Sequence, residues 1–203
     1  MPLTIRPAQL SDTSALSTIC AATANAGQAP TPALLEPELP GLLYALPYLH
    51  GPACFALVAE DDQGVCGYAV GTADSQAYYN WLNHSWLATH NRAPGIESAT
   101  ELDLRFAAGL QRAHAAPSWH KDFPAHLHLN LLPRAQGQGA GRALMSQLIS
   151  QLAQAGASGV HWGADPANLG ALGFYRKLGY KVYASEPGCI WFASVLAAES
   201  PDH

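Results

Sequence analysis

Residues 125–155 read as a strand, a glycine-rich turn and a helix in immediate succession, and no other stretch limits the possible folds as strongly. The run Ala-His-Leu-His-Leu-Asn at 125–130 alternates in polarity, as a strand with two unlike faces should, and two more leucines extend it to 132. Leu144, Leu148 and Leu152 then repeat every four residues with Ile149 alongside, and Gly156 is placed to stop a helix running from about 139 to 155. Between them lies Gln136-Gly137-Gln138-Gly139-Ala140-Gly141-Arg142. Glycine is the poorest ordinary residue inside a helix. Three of them at alternate positions where a helix begins mean that the backbone bends there or that something approaches it closely.

A strand, a glycine turn and a helix together present free backbone N–H groups and the positive end of a helix dipole to an anion. The expected ligand is phosphate-bearing; the plain alternative is a glycine-rich connection with no ligand. A P-loop requires Lys-Ser or Lys-Thr after its last glycine, whereas Gly141 is followed by Arg142-Ala143. A dinucleotide fingerprint asks for wider glycine spacing and an acidic residue about 20 positions on. Asp165 lies roughly there, so that reading is weakened without being removed.

The rest of the chain sets the frame. Residues 3–6 read as a strand, and Ser11-Asp12 as an N-cap for a helix through about Thr23 with Ala15, Leu16, Ile19, Cys20 and Thr23 on one stripe. Prolines 30, 32, 37 and 40 break up the next segment, leaving a short helix near 41–46. Residues 54–60 and 65–72, joined by Asp61-Asp62-Gln63-Gly64, read as an antiparallel hairpin. An aromatic-rich helix is expected over 75–91, and an irregular segment over 92–122 with a helix near 99–111. Beyond the glycine turn come a strand at 160–163, a helix at 166–178 ended by Gly179, and strands at 180–185 and 189–196 around Pro187-Gly188. This order implies a mixed α/β sheet covered on both faces.

Composition narrows the partners. With 203 residues, 49% apolar and 12% charged, the chain suits one well-buried globule rather than a disordered one. A net charge of −5 gives no basic patch for nucleic acid or an anionic membrane. No apolar run approaches the roughly 18 residues of a membrane helix, and Arg6 and Asp12 interrupt any signal-peptide core. Cys20, Cys54, Cys66 and Cys189 are scattered without metal-like spacing, as expected of buried, reduced thiols in a cytoplasmic protein.

Two signatures resemble one family. Gln136-Gly-Gln-Gly139-Ala-Gly141 matches the Gln/Arg-x-x-Gly-x-Gly/Ala motif of the GNAT N-acetyltransferases. Asn168-Leu-Gly-Ala171-Leu-Gly-Phe174-Tyr175-Arg-Lys-Leu-Gly179-Tyr180 matches their Asn-x-x-Ala-x-x-Phe-Tyr-x-x-x-Gly-Phe/Tyr. Either alone is modestly specific; both in this order, separated by one helix and one strand, are strongly so. The core likeness covers about residues 120–196, and Ile5-Arg6-Pro7 with Ser11-Asp12 extends it to the N-terminus. Residues 125–133, Pro47-Tyr48, Gly67-Tyr68 and Gly71-Thr-Ala-Asp74 further resemble a bacterial GNAT group related to the acetyltransferase-like domain of O-GlcNAcases. That group is expected to carry Asp where this chain has Asn130.

The resemblance implies a mixed, mostly antiparallel central sheet of about six to seven strands with helices on both faces. It implies a single domain over 1–203, with an insertion at about 75–122. It also implies direct transfer of acetyl from acetyl-CoA to an amine, without an acyl-enzyme. Coenzyme A would be held by Gln136, Gly137, Gln138, Gly139, Ala140, Gly141 and Arg142, with Asn168 and Tyr175 beyond them. An N–H of Leu131 or Leu132 would polarise the thioester carbonyl, and Tyr175 would serve the departing thiolate. His126 and His128 share one strand face with Asn130 and are candidates for the base; two satisfied polar side chains are the bland alternative. Asp74 is a second candidate or a helix cap, while Tyr78, Tyr79, Trp81 and Trp86 are pocket walls or core. His161 and His120 lack acidic partners at metal-like spacing, and the transfer needs no metal. The rival reading is a module that keeps the fold and binds acyl-CoA or a protein without turnover. The acceptor amine is unidentified, and the expected state is monomer or homodimer.

Overall fold

In the computed structural model, which describes residues 3–90 and 99–196, the expected strands form as β1 (Thr4–Pro7), β2 (Cys54–Asp61), β3 (Gly64–Thr72), β4 (Ala125–Leu131), β5 (Gly159–Ala164), β6 (Val182–Glu186) and β7 (Cys189–Val195). The helices are α1 (Thr13–Ala22), α2 (Leu39–Tyr44), α3 (Ser75–Trp81), α4 (Leu87–His90), α5 (Glu101–Gln111), α6 (Ala140–Gln154) and α7 (Leu169–Lys177). One seven-stranded sheet runs in the order β1-β2-β3-β4-β5-β7-β6. Every neighbouring pair is antiparallel except β4 and β5, which are parallel.

The sheet separates two cores. On one face the four-residue stripe of α6 buries Leu144, Leu148 and Leu152 completely against Leu57, Leu127, Val160 and Trp162. Truncating a leucine in such a place costs about 2–5 kcal/mol. On the other face α1 contributes Leu16, Ile19 and Cys20, which pack with Leu42 and Leu43 of α2 and with Tyr48, Tyr68 and Tyr78. The alternation of β4 divides its residues between these cores: Leu127 belongs to the first, and the even-numbered His126 faces the second.

Several elements differ from expectation for identifiable reasons. Asp12 does not cap α1. The Arg6 guanidinium grips its carboxylate at 2.7 and 3.0 Å and the Gln9 N–H donates to it at 2.8 Å, so Asp12 ties a 3₁₀ turn to β1 instead. α7 begins at Leu169, three residues late, because the Asp165 carboxylate accepts from the Ala167 N–H and Asn168 caps the helix by accepting from Ala171. The aromatic helix is α3, a π-helical turn over Leu82–Trp86, and α4. Residue 91 and the start of the expected insertion, 92–98, lie outside the described residues. The helix of that segment, α5, starts at a reciprocal Thr100–Asp103 cap, and Asp103 also accepts from the Leu35 and Glu36 amides. No described helix is long and apolar enough to cross a membrane.

Candidate active site

β4 and β5 pair at only two positions, Ala125 with Val160 and His126 with His161. Beyond them the strands part, and a cavity of about 790 Å3 opens between residues 126–130 of one and 161–165 of the other. The register decides which backbone groups face it. Leu132 donates its N–H to Cys66 at 2.9 Å, in step with the Tyr68–Asn130 pair of β3 and β4. By alternation the amides of Leu129 and Leu131 point the other way, toward the gap where β5 has left. Of the two amides expected to meet a thioester carbonyl, that of Leu132 is therefore spent within the sheet and that of Leu131 is available.

The three glycines of the turn do two different things. Gly137 and Gly139 have φ of 75° and 84°, and a Cβ on either would meet nothing within 4 Å. They supply a left-handed backbone beside open space. Gly141 lies in the first turn of α6, and its Cβ would stand 3.1 Å from Phe174 and 3.2 Å from Leu131. It lets α6 approach α7 and β4. The amides of residues 137–142 find no acceptor among the described residues, a set of donors whose geometry suits an anion at the start of a 15-residue helix. Gln136 and Gln138 brace the turn from within, donating to the carbonyls of Leu131 at 3.1 Å and Arg134 at 2.7 Å. Arg134 is pinned in turn by Asp61 at 2.8 Å, whose carboxyl this contact holds below the usual range. Ala140 is buried and Arg142 is exposed.

One wall of the cavity comes from α7: Asn168, Ala171 and Tyr175, spaced to share a helix face. The Asn168 side-chain oxygen is engaged in capping. Tyr175 packs among Trp162, Phe174 and Phe192 with ring centroids 5.1–5.5 Å away. Burial pushes its phenol well above its ordinary value, and its hydroxyl makes no hydrogen bond to a described residue.

The opposite wall separates the two histidines of β4. His126 is buried, with Nε2 2.7 Å from the Tyr48 hydroxyl and Nδ1 2.7 Å from Ser75 Oγ. Burial and the neighbouring imidazoles of His161 and His128 hold its pKa well below the usual value. His128 is half-buried between the rings of Tyr44 and Tyr48, at 5.6 and 5.7 Å. It makes no hydrogen bond to a described residue, and desolvation brings it down to about 4. Asn130 gives an Nδ2 proton to the Tyr68 hydroxyl at 2.7 Å.

Among the other candidates, Tyr78 and Tyr79 line the cavity. Asp74 does not: it caps α3 by accepting from the Ala77 N–H at 3.0 Å. Trp81 and Trp86 pack on one another at 5.9 Å away from the cavity, with the Trp86 indole N–H donated to Leu42. Sequence reasoning missed Tyr48 and His161 as cavity residues. Tyr48 follows Pro47 with no neighbouring motif, and His161 sits in an apolar strand whose pairing with β4 has no local signal. No group of three His, Cys, Asp or Glu among the described residues could hold a metal ion, and all four cysteines are free.

Residues 28–180 match the profile of the acetyltransferase (GNAT) family. The chain belongs to that family. This GNAT acetyltransferase is 31% identical to the crystal structure of SsHAT, with a TM-score of 0.86 and an alignment covering 97% of this chain and 100% of that one. It is 26% identical over 183 residues to protein O-GlcNAcase of Rattus norvegicus, which takes in 87% of this chain but 20% of that protein. The chain thus spans about 20% of the length of the curated relatives it matches. The yncA protein of Salmonella typhimurium, solved with its cofactor acetyl-CoA, shares the fold at 18% identity and a TM-score of 0.58, over 98% of both chains. The seven-stranded, mostly antiparallel sheet is the one the GNAT resemblance implied.

Proposed function

We propose that this chain moves acetyl from acetyl-CoA directly to an amine carried by a small molecule or a protein. The observation that carries the reading is the run of amides at 137–142 that find no acceptor among the described residues, opened by two glycines of positive φ and set beside the gap between β4 and β5. These residues fit a coenzyme A pyrophosphate, which needs N–H donors and no intervening side chains. Acetyl-CoA, when bound, supplies an activated acetyl thioester. Everything else falls to the chain. The Leu131 N–H meets the thioester oxygen as charge develops on it. Tyr175, kept protonated by burial, hydrogen-bonds the departing sulfur and can give it a proton. His128 receives the proton of the attacking ammonium. With a value of about 4 it is neutral at working pH and releases that proton to solvent; the second proton, lost from nitrogen as the C–S bond breaks and the amide forms, replaces the one Tyr175 gives to the sulfur. Tyr78 and Asn130 border the acceptor. The domain is taken as 1–203 in one piece, with residues 75–122 inserted on the acceptor side, and its four free thiols suit a reduced, cytoplasmic setting.

Calorimetric titration with acetyl-CoA tests the reading: no heat at high micromolar ligand removes it. One observation favours a second reading, a module that binds acyl-CoA without turnover. Asn130 stands where the O-GlcNAcase-related group is expected to carry Asp, and it spends a proton on Tyr68. Thiol release across an amine panel separates the two.

A further inference from the structure

Full charges around the cavity are few and unevenly placed. Of the described residues that line it, only Arg105, Arg112 and Asp165 are ionised at neutral pH. Asp165 stands just past β5, where its carboxylate accepts from the Ala167 N–H. Both arginines belong to α5, Arg105 in the middle of the helix and Arg112 at its C-cap. With Ala108 and Gly109 between them they follow the spacing of a single helix face, and all four line the cavity.

Neither guanidinium has a counter-charge. Arg6 is held by Asp12 and Glu60 and Arg134 by Asp61, but no carboxylate among the described residues pairs with Arg105 or Arg112, not even Glu101 one turn before Arg105. Both are exposed. A cation at a C-cap also complements the helix dipole, a use that Arg105 at mid-helix does not have. Their charges reach the reacting end of the cavity. The Arg105 guanidinium lies 5.5 Å from the Phe106 ring centroid, Phe106 is 6.3 Å from Tyr44, and Tyr44 is 5.6 Å from His128. Desolvation raises the Tyr44 phenol, and the positive charges of Arg105 and Arg112 pull it back, so both act at that ring.

A planar guanidinium presents paired N–H donors that match a carboxylate or a phosphate, and a cavity of about 790 Å3 has the size of a small-molecule site. We infer that Arg105 and Arg112 form an oxyanion site, and that the acceptor is a small zwitterion with its amine toward His128 and a carboxylate or phosphate toward α5. The inference rests on the acetyl-transfer reading. The same two charges repel diamines and polyamines, so they select as well as attract.

Thiol release by the full chain tests it, with ω-amino acids of increasing length, the uncharged primary amides of the same acids, and aminoalkyl phosphates as acceptors. The wild type should favour the acids or the phosphates over the amides by about tenfold in kcat/KM, and whichever of the two is favoured identifies the oxyanion. Added salt should erode that preference. Arg105→Gln combined with Arg112→Gln should raise KM for the anionic acceptors about tenfold and abolish the preference, while the acetyl-CoA Kd holds. Arg105→Glu combined with Arg112→Glu should turn it toward diamines. Equal kcat/KM for acids, phosphates and amides in the wild type overturns this inference and leaves acetyl transfer standing. So does a weakened acetyl-CoA Kd in the glutamine variant, which would give the guanidiniums to the cofactor. A wild type that binds acetyl-CoA and acetylates none of the panel overturns the transfer reading, and this inference with it.

Discussion

The two halves of the cleft are built from different materials. The half beside α6 and α7 is backbone chemistry: open glycines of positive φ, amides without acceptors among the described residues, and a strand edge whose partner has left. Its parts lie within residues 131–142 and 168–175. The facing half is side-chain chemistry assembled from afar, as in the Tyr48–His126 bond, whose partners are 78 residues apart. Backbone geometry is dictated by neighbouring residues and can be written as a motif. A hydrogen bond between distant side chains depends on the whole sheet register and has no local spelling.

The largest expected effect would break the first half alone. Gly139→Glu forces a left-handed backbone on a non-glycine residue and places a negative charge at the proposed anion site. It should weaken acetyl-CoA binding by about 4 kcal/mol, near 1,000-fold, while the left-handed backbone costs only about 1–2 kcal/mol of stability, a fall in Tm of several degrees. Calorimetry checks it, and unchanged affinity would mean that the anion does not sit at this turn. Tyr175→Phe asks whether that half also serves the chemistry: kcat should fall on the order of 100-fold while the acetyl-CoA Kd holds.

The third prediction reads the side-chain half through pH. An unfolded imidazole takes a proton near 6.5, whereas folded His161 resists until about 4. The unfolded chain therefore binds more protons in that window, and stability falls as pH drops through it. His161, at 1% exposure, contributes a slope of up to about 1.4 kcal/mol per pH unit, and buried His126 acts in the same direction. Denaturant melts from pH 7 to 5 should show the decline, and His161→Gln should flatten it. The smallest effect separates the glycines from one another. Gly141→Ala presses a methyl on Phe174 and should cost about 1 kcal/mol of stability while barely altering acetyl-CoA affinity, unlike a change at Gly139.

Much of the fold and of the backbone half of the cleft is legible in the residues alone. The strand, turn and helix over 125–155 fall within a residue of where alternation and the four-residue leucine repeat put them. The face shared by His126, His128 and Asn130 comes from the two-residue period of a strand. How each polar group would be satisfied could not be read. Asp12 looked like a helix cap because caps are local, yet a guanidinium on β1 was the stronger partner. Leu131 and Leu132 were indistinguishable until the β3 register showed which amide was already used. The two histidines looked alike, although one is bonded at both nitrogens and the other, among the described residues, at neither.

The parting of β4 from β5 also gives the cleft a signal of its own. In a sheet this well packed most central amides are shielded from solvent deuterium by their ladder bonds, but those of Leu129 and Leu131 face a gap. They should exchange quickly in the free chain, two fast sites in the middle of a slow strand, and slow down when the cleft is filled. Occupancy of the site would then be visible at two backbone positions before any acceptor is known.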